Sequence, residues 1–385
     1  MSDGTMPSSP VGRIELLLGH SDVSRADLAR VLDLPRDVTV DDVLAGDYPL
    51  SPTDLVAIAD LLDVPVTVLT GQVPMDRHLG VSLRLGAVEA ADVPTGALQY
   101  ADTLLGYRAL LDSWLGSVCS PLAGIGMSTD SYFMRAGQKS AQRVRDGLRL
   151  GEDPIPDLVG LIERLGFPVV FLPLPEGMHG LNVRDEREGT PTRVIIVSTL
   201  GPWTQQRYTL AHELCHALYD DAGQVIVDLV EVPERLPELR AESFARHLLL
   251  PAEALAEDVR QALKENTSQE VLTARLMVRW GMSKQAVLRA LEKDGHATPK
   301  EVAALQGRPV GQLMARAGLT EQWQILSAGQ AEPSGSPWLV SRALEAYGKG
   351  WVGAHVVADL LDQDLETTER QLVAQGWAAP DSGAD

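Results

Sequence analysis

Residues 212–216 read His212-Glu213-Leu214-Cys215-His216, and this pentapeptide is the most informative segment of the chain. Positions four apart on an α-helix lie one above the other, so both imidazoles can reach a single metal ion. Glu213 follows His212 by about 100° around the helix axis, where its carboxylate can take a proton from water beside the metal. On a helix, this pattern therefore predicts a metal site with an adjacent base.

The flanking residues favour a helix over a chance match. Apolar residues recur at helical period on the side away from the histidines, namely Leu210, Leu214, Ala217 and Leu218. One helix thus carries both a core face and a chemical face. A His-Glu-x-x-His helix is typical of zinc metallopeptidases, in which the glutamate is the general base. The alternative interpretation is a pair of core histidines satisfied by hydrogen bonds.

The composition restricts the class of protein. The chain has 385 residues, enough for two or three domains, and 45% hydrophobic content predicts a soluble globular protein. It contains no run of eighteen apolar residues, so no membrane partner is expected. Residues 1–12 do not have the pattern of a secretory signal. The two cysteines are Cys119 and Cys215, and because Cys215 lies within the motif helix, we expect no disulfide and a cytoplasmic location.

The net charge of −20 argues against a broad nucleic-acid-binding surface, which needs clustered Lys and Arg. The most basic segment is a helix predicted over residues 127–150, with Arg135, Lys139, Arg143, Arg145 and Arg149. Such a segment is either a solvated helix face or a surface for an acidic partner.

Residues 10–74 predict an all-α module of short helices, in which Ser24 and Thr39 are typical N-caps and Gly46 is a typical helix end. The residues that carry a resemblance to the repressor-type helix-turn-helix domain are Leu28-Ala29, Gly46, Leu55, Ile58-Ala59 and Leu62. The recognition helix of that family would fall at residues 35–45, which contain Arg36, Asp37, Asp41 and Asp42. DNA is contacted mainly by Arg, Lys, Asn and Gln, whereas most of these side chains are aspartates. DNA binding and a role in protein contacts or dimerisation therefore both stay open.

A small sheet is predicted to precede the motif helix. Residues 75–150 are interpreted as a helical connector, with helices near 98–116 and 127–150. A helix over 157–165 leads to three short strands, at residues 168–172, 180–183 and 192–197. In zinc peptidases, an edge strand beside the motif helix can hold an extended substrate by main-chain pairing.

The third metal ligand must come from elsewhere in the chain, because catalytic zinc takes three protein ligands and keeps one open position. The next predicted helix contains Glu238 and Glu242, which lie one turn apart on the same face. From the spacing alone, either glutamate can be the ligand.

The two helices together resemble the ImmA/IrrE-type metallopeptidases. The matching residues are 208–218, with the pentapeptide, and Glu238, Ala241, Phe244-Ala245 and Leu248-Leu249-Leu250-Pro251. The resemblance implies that Glu238 is the third ligand, with Glu242, in a position usually filled by Asn, as the alternate. Asp220 stands at a position where that family often has a histidine, and its carboxylate could orient a metal ligand by a hydrogen bond. The family typically cleaves transcriptional repressors in stress, phage or mobile-element circuits.

Residues 296–378 are interpreted as a C-terminal helical region, with a linker at 329–337. Just before it, residues 271–291 predict a helix pair that is either packing support or a second helix-turn-helix presenting Lys284, Gln285 and Arg289. The expected fold is α+β and mostly helical, with a zincin-like domain over 151–295 between helical regions.

Two functions stay open. The first is a zinc endopeptidase whose substrate is a repressor or other regulatory protein. The second is a DNA-binding regulator or sensor whose zinc-peptidase-like domain does not cleave. A purely structural metal site would need a fourth protein ligand, and the sequence offers no clear candidate.

Overall fold

A computed structural model gives the fold of the chain. It describes residues 10–18, 24–32, 34, 38–46, 48–62, 69, 79–85, 95–117, 120–122, 124–185, 192–219 and 235–377. The chain divides into two compact units, Met1–His78 and Leu79–Asp385. None of the described helices combines the length and the hydrophobicity that crossing a bilayer requires.

The first unit contains four described helices: α1 (Pro10–Leu18), α2 (Arg25–Val31), α3 (Val40–Ala45) and α4 (Pro52–Leu61). Ser24 caps α2 and Thr39 caps α3, each in a capping box with an aspartate three residues later. Gly46 ends α3 in the left-handed conformation, with φ of 82°. These caps and this end confirm the predicted helix boundaries. The core of the unit includes Leu28, Val43 and Ile58, all fully buried.

The second unit is built around one sheet of four strands in the order β1-β3-β4-β2. The strands are β1 (Leu79–Leu85), β2 (Val169–Leu172), β3 (Met178–Asp185) and β4 (Thr192–Ser198). β2 runs parallel to β4, and the other neighbours are antiparallel. The three strands predicted before the motif helix are confirmed. β1, in contrast, lies within residues 75–97, where the sequence predicted a connector.

The second unit also contains fourteen described helices. They are α5 (Thr95–Leu115), α6 (Phe133–Gly147), α7 (Leu158–Arg164), α8 (Trp203–Tyr219), α9 (Arg235–Leu249), α10 (Ala252–Lys264), α11 (Gln269–Trp280), α12 (Lys284–Lys293), α13 (Pro299–Gln306), α14 (Val310–Ala317), α15 (Thr320–Ala328), α16 (Pro337–Gly348), α17 (Ala354–Leu361) and α18 (Leu365–Ala374). The predicted class, mostly helical α+β, is confirmed.

The two faces of the sheet bury different helices, because successive side chains of a strand point in opposite directions. Val169, Phe171, Ile195 and Val197 pack in the larger core with α6–α14. Val170, Val194 and Ile196 pack on the other face with α5, α16 and α17. The motif helix and its neighbours thus lie on one face, and the C-terminal helices support the other.

Residues 329–337 differ from the linker that their composition predicted. Ser334 exchanges two backbone hydrogen bonds of 3.0 Å with Phe171 and so extends the sheet beyond β2. The hydroxyl of Ser336 donates to Oε1 of the buried Glu163 at 2.5 Å. Sheet pairing and this buried hydrogen bond therefore fix the segment against the fold.

The helices α6 and α9 approach each other closely at Gly137. A Cβ added there would lie 2.2 Å from the carbonyl oxygen of Arg240 and 2.9 Å from the backbone nitrogen of Phe244. Ser243 adds a hydrogen bond of 2.6 Å from its hydroxyl to the carbonyl oxygen of Met134. The missing side chain of Gly137 thus sets the position of α9.

We therefore expect Gly137→Ala to lower the free energy of unfolding by about 1–3 kcal/mol, because the clash is with backbone atoms that cannot turn away. Gly96→Ala in α5 is the matched control, since its added Cβ meets nothing within 4 Å. Urea denaturation followed by tryptophan fluorescence measures both variants, because all seven tryptophans lie in the second unit. Equal stability of the two variants would contradict the close contact.

Candidate metal centre

The motif residues lie on α8, as their spacing predicted. Leu210 and Leu214 are buried in the larger core, together with the thiol-bearing residue Cys215, which makes no disulfide. His212, Glu213 and His216 are also buried, with at most 2% of each residue exposed. The chemical side of the helix is therefore enclosed by protein.

Strand β3 packs against α8. Gly180 permits this contact, because a Cβ there would lie 2.6 Å from Cγ2 of Thr209 and 3.4 Å from Cγ of Glu213. The side-chain amide of the fully buried Asn182 donates to the backbone carbonyl of Glu213 at 3.1 Å. Arg193 in turn donates to Oδ1 of Asn182 at 3.2 Å. This chain of hydrogen bonds anchors the motif helix at its glutamate.

Sequence reasoning did not assign a role to Asn182 or Gly180, although both lie in a segment predicted to be a strand. The available signal was an amide and a glycine in a short strand whose neighbours are apolar. A buried amide needs hydrogen-bond partners, and a glycine inside a strand often marks a close backbone approach.

Three side chains converge above α8. Nε2 of His212 lies 3.1 Å from Nε2 of His216 and 3.1 Å from Oε2 of Glu238. Nε2 of His216 lies 3.1 Å from Oε1 of the same glutamate. Among the described residues, these three form the one group of His, Cys, Asp or Glu with metal-ligand spacing.

The spacing of these atoms fits a small divalent cation. Tetrahedral zinc with ligands at about 2.0–2.2 Å holds its ligand atoms about 3.3 Å or slightly more apart. The three measured separations of 3.1 Å lie close to that value. Two imidazole nitrogens and a carboxylate are also a ligand set that zinc commonly takes. The residues present therefore suit a zinc ion.

Glu238 belongs to the first turn of α9. Burial acts to raise the pKa of its carboxyl group, but hydrogen bonds and charge from His212 and His216 outweigh it and hold the pKa well below its ordinary value. Glu242, one turn later, is exposed and is not in the cluster. Its backbone carbonyl accepts a hydrogen bond of 3.0 Å from the Tyr208 hydroxyl. Of the two glutamates left open by spacing, Glu238 is the one beside the imidazoles.

The polar side chains of Tyr219 and His247, near the C-terminal ends of α8 and α9, have other surroundings. The Tyr219 hydroxyl lies 2.7 Å from that of Ser140 and donates to the carbonyl oxygen of Ser128 at 2.9 Å. Burial, together with the charge of Arg246, lowers the pKa of His247 to about 4. Asp220, predicted to orient a ligand, lies outside the described residues.

The basic helix α6 is not a uniform solvated face. Arg145 is buried and donates hydrogen bonds to the backbone carbonyls of Gly151, Asp153 and Leu248. Lys139 pairs with Asp130 at 2.8 Å. Arg145 thus ties α6 to the last turn of α9 instead of presenting its charge to a partner.

Residues 162–292 match the protein family described as Peptidase_M78: IrrE N-terminal-like domain. The chain carries an IrrE-like peptidase domain. The matched residues of the IrrE-like domain include β2, β3, β4, the motif helix α8 and the helix α9 that supplies Glu238. A peptidase family with a metal centre is the class that the motif and the resemblance predicted. Searches of curated proteins and of solved structures found no match to the chain.

Proposed function

We propose that the chain is a zinc-dependent endopeptidase that cleaves a transcriptional repressor or another regulatory protein in a stress, phage or mobile-element circuit. The observation that carries the proposal is the convergence of His212, His216 and Glu238 at 3.1 Å separations. The IrrE-like domain supports the reaction class. The repressor as substrate is inferred from the family resemblance.

His212, His216 and Glu238 would hold the ion, with Glu213 next to them on the helix. When bound there, zinc supplies Lewis acidity that lowers the pKa of water to about 7 and polarises the scissile carbonyl. A carboxylate oxygen of Glu213 accepts a proton from the attacking water and later donates it to the amine nitrogen that leaves. One peptide bond and one water molecule thus become a carboxylate and an amine.

Asn182 has a positioning role in this proposal. Its hydrogen bond to the Glu213 carbonyl limits rotation and sliding of α8 at the residue that moves the proton. Arg193 fixes the orientation of the Asn182 amide. Burial of the glutamate keeps bulk water from competing for the proton.

The alternative is a DNA-binding regulator or sensor that does not cleave. In the first unit, the side chain of Asp41 pairs with Arg25, and that of Asp42 caps its own helix through Thr39. Two of the candidate recognition residues are thus acidic and serve the local fold, and Arg36 and Asp37 lie outside the described residues. An acidic helix repels phosphates, which favours the peptidase proposal.

Co-expression with the repressor candidate encoded by a neighbouring gene tests the proposal. A cut product of the repressor is expected with the native chain and is absent with Glu213→Gln. If the repressor stays intact with both chains, this substrate is wrong. If the biological output is unchanged by Glu213→Gln, hydrolysis is not the function.

A further inference from the structure

A cleft of about 520 Å³ lies between α8, α9 and the start of α12. Tyr208 and Gln205 line it from α8, and Glu242 and Arg246 line it from α9. The three side chains of the metal cluster are not part of its wall. The proposed catalytic mechanism leaves this cleft without a role.

The cleft begins one helical turn from the metal cluster on both of its helices. Tyr208 precedes His212 by four residues on α8, and Glu242 follows Glu238 by four residues on α9. One turn rises about 5.4 Å, whereas an extended peptide advances about 3.3 Å per residue. A peptide with its scissile bond at the cluster would therefore reach the cleft about two or three residues away.

The charge of the cleft is opposite to that of the whole chain. Four cationic side chains line it, those of Arg246, Lys284, Arg289 and Lys293, against the single carboxylate of Glu242. Arg246 pairs with Asp294 at 2.9 Å, which leaves an excess of two positive charges. The chain as a whole carries −20, so a positive cleft beside the cluster needs its own explanation.

Much of this charge is available to a ligand. Arg289 and Lys293 are exposed and form no ion pair with any described residue. Nη1 of Arg246 is buried at the wall and has no hydrogen-bond partner within the described part of the chain. The first turn of α12, capped by Ser283, also faces the cleft, and the N-terminal end of a helix favours an anion.

We propose that this cleft binds an acidic side chain, Asp or Glu, of the peptide substrate about two or three residues from the scissile bond. The proposal rests on the endopeptidase function and names a substrate preference of the same site. Arg289 and Lys293 supply the attracting charge, and Nη1 of Arg246 supplies a donor for a carboxylate oxygen.

Duplex DNA is the competing ligand, because Lys284, Gln285 and Arg289 suggested a second helix-turn-helix. The ammonium group of Lys284 donates to the backbone carbonyls of Gln306 and Arg308 at 2.7 and 2.6 Å, so two of its three N–H donors are already used. The start of α12 forms a wall of a cleft with α8 and α9, whereas a recognition helix must protrude into a major groove about 12 Å wide. A narrow peptide fits this arrangement better.

Cleavage-site profiling tests the preference. A library of proteome-derived peptides is digested by the zinc-loaded native protein, by Arg289→Gln/Lys293→Gln, and by the control Arg260→Gln/Lys264→Gln. The control removes the same two charges from exposed positions on α10 that do not line the cleft. We expect Asp or Glu to be enriched two or three residues from the cut bond with the native and control proteins. The cleft variant should lose this enrichment and cleave such peptides about five- to tenfold more slowly.

An unselective native profile, or an enrichment that survives in the cleft variant, would overturn the proposal while leaving the peptidase function intact. If the native protein cuts no more peptides than Glu213→Gln does, the proposed function fails, and binding then decides the role of the cleft. For this, fluorescence anisotropy with zinc-loaded Glu213→Gln compares a labelled twelve-residue peptide containing two glutamates with its glutamine counterpart and with a 20-base-pair duplex. Tighter binding of the acidic peptide supports the cleft, and equal or tighter binding of either other probe refutes it.

Discussion

Glu213→Gln is expected to slow peptide-bond cleavage by about 10²- to 10⁴-fold while zinc stays bound. The amide has nearly the same volume as the carboxylate, so it fits the fully buried position of Glu213. It cannot accept a proton, and the attacking water then loses its base. The ligand atoms of His212, His216 and Glu238 are unchanged, so the metal content should equal that of the native protein.

Glu242→Gln is the matched control for this variant. It makes the same chemical change on an exposed glutamate of α9 outside the metal cluster, so activity on uncharged peptides should be retained. Zinc is measured by atomic absorption and cleavage by mass spectrometry of the products. Cleavage by Glu213→Gln at the native rate would remove Glu213 from the mechanism. Loss of zinc from this variant would assign it a structural role instead.

The motif helix was predictable because its information is local. The spacing of His212 and His216 and the apolar stripe lie within a few turns of one helix. The choice between Glu238 and Glu242 could not be predicted from the spacing, because both residues lie on the same face of α9 one turn apart. Only the packing of α9 against α6 and α8, set partly by Gly137, determines which carboxylate reaches the imidazoles.

Two parts of the sheet that the sequence did not predict, β1 and the pairing at Ser334, have partners that are distant in sequence. The segment containing β1 has the composition of a connector, and it becomes a strand by pairing with β3 about a hundred residues later. Ser334 likewise pairs with Phe171 across a long stretch of chain. β1 occupies the outer side of β3 and is the edge strand of the described sheet, so pairing of a substrate with an edge strand beside α8 stays a prediction for β1. The period-two alternation of Leu79, Val81, Leu83 and Leu85 in β1 was nevertheless a local strand signal, which the interpretation as a connector missed.

Loss of Glu238 is expected to have the second large effect. Glu238→Ala should weaken zinc binding by more than about a hundredfold, because removing even the hydrogen-bond partners of metal ligands costs about 10- to 100-fold. His216→Ala should likewise lose most of its zinc, whereas the native protein should hold about one ion per chain. Glu238 is about 40% exposed at its side chain, so its replacement by Ala should not prevent folding.

Glu242→Ala discriminates between the two glutamates, because it removes the carboxylate that is one turn farther along α9 and exposed. Competition with a chromogenic zinc chelator gives the affinity of each variant, and circular dichroism checks that each is folded. Native affinity in Glu242→Ala together with loss in Glu238→Ala assigns the third ligand to Glu238. The reverse result would require α9 to shift along its axis by about one turn, roughly 5.4 Å, so that Glu242 reaches the imidazoles. It would contradict the 3.1 Å separations between Glu238 and the two histidines.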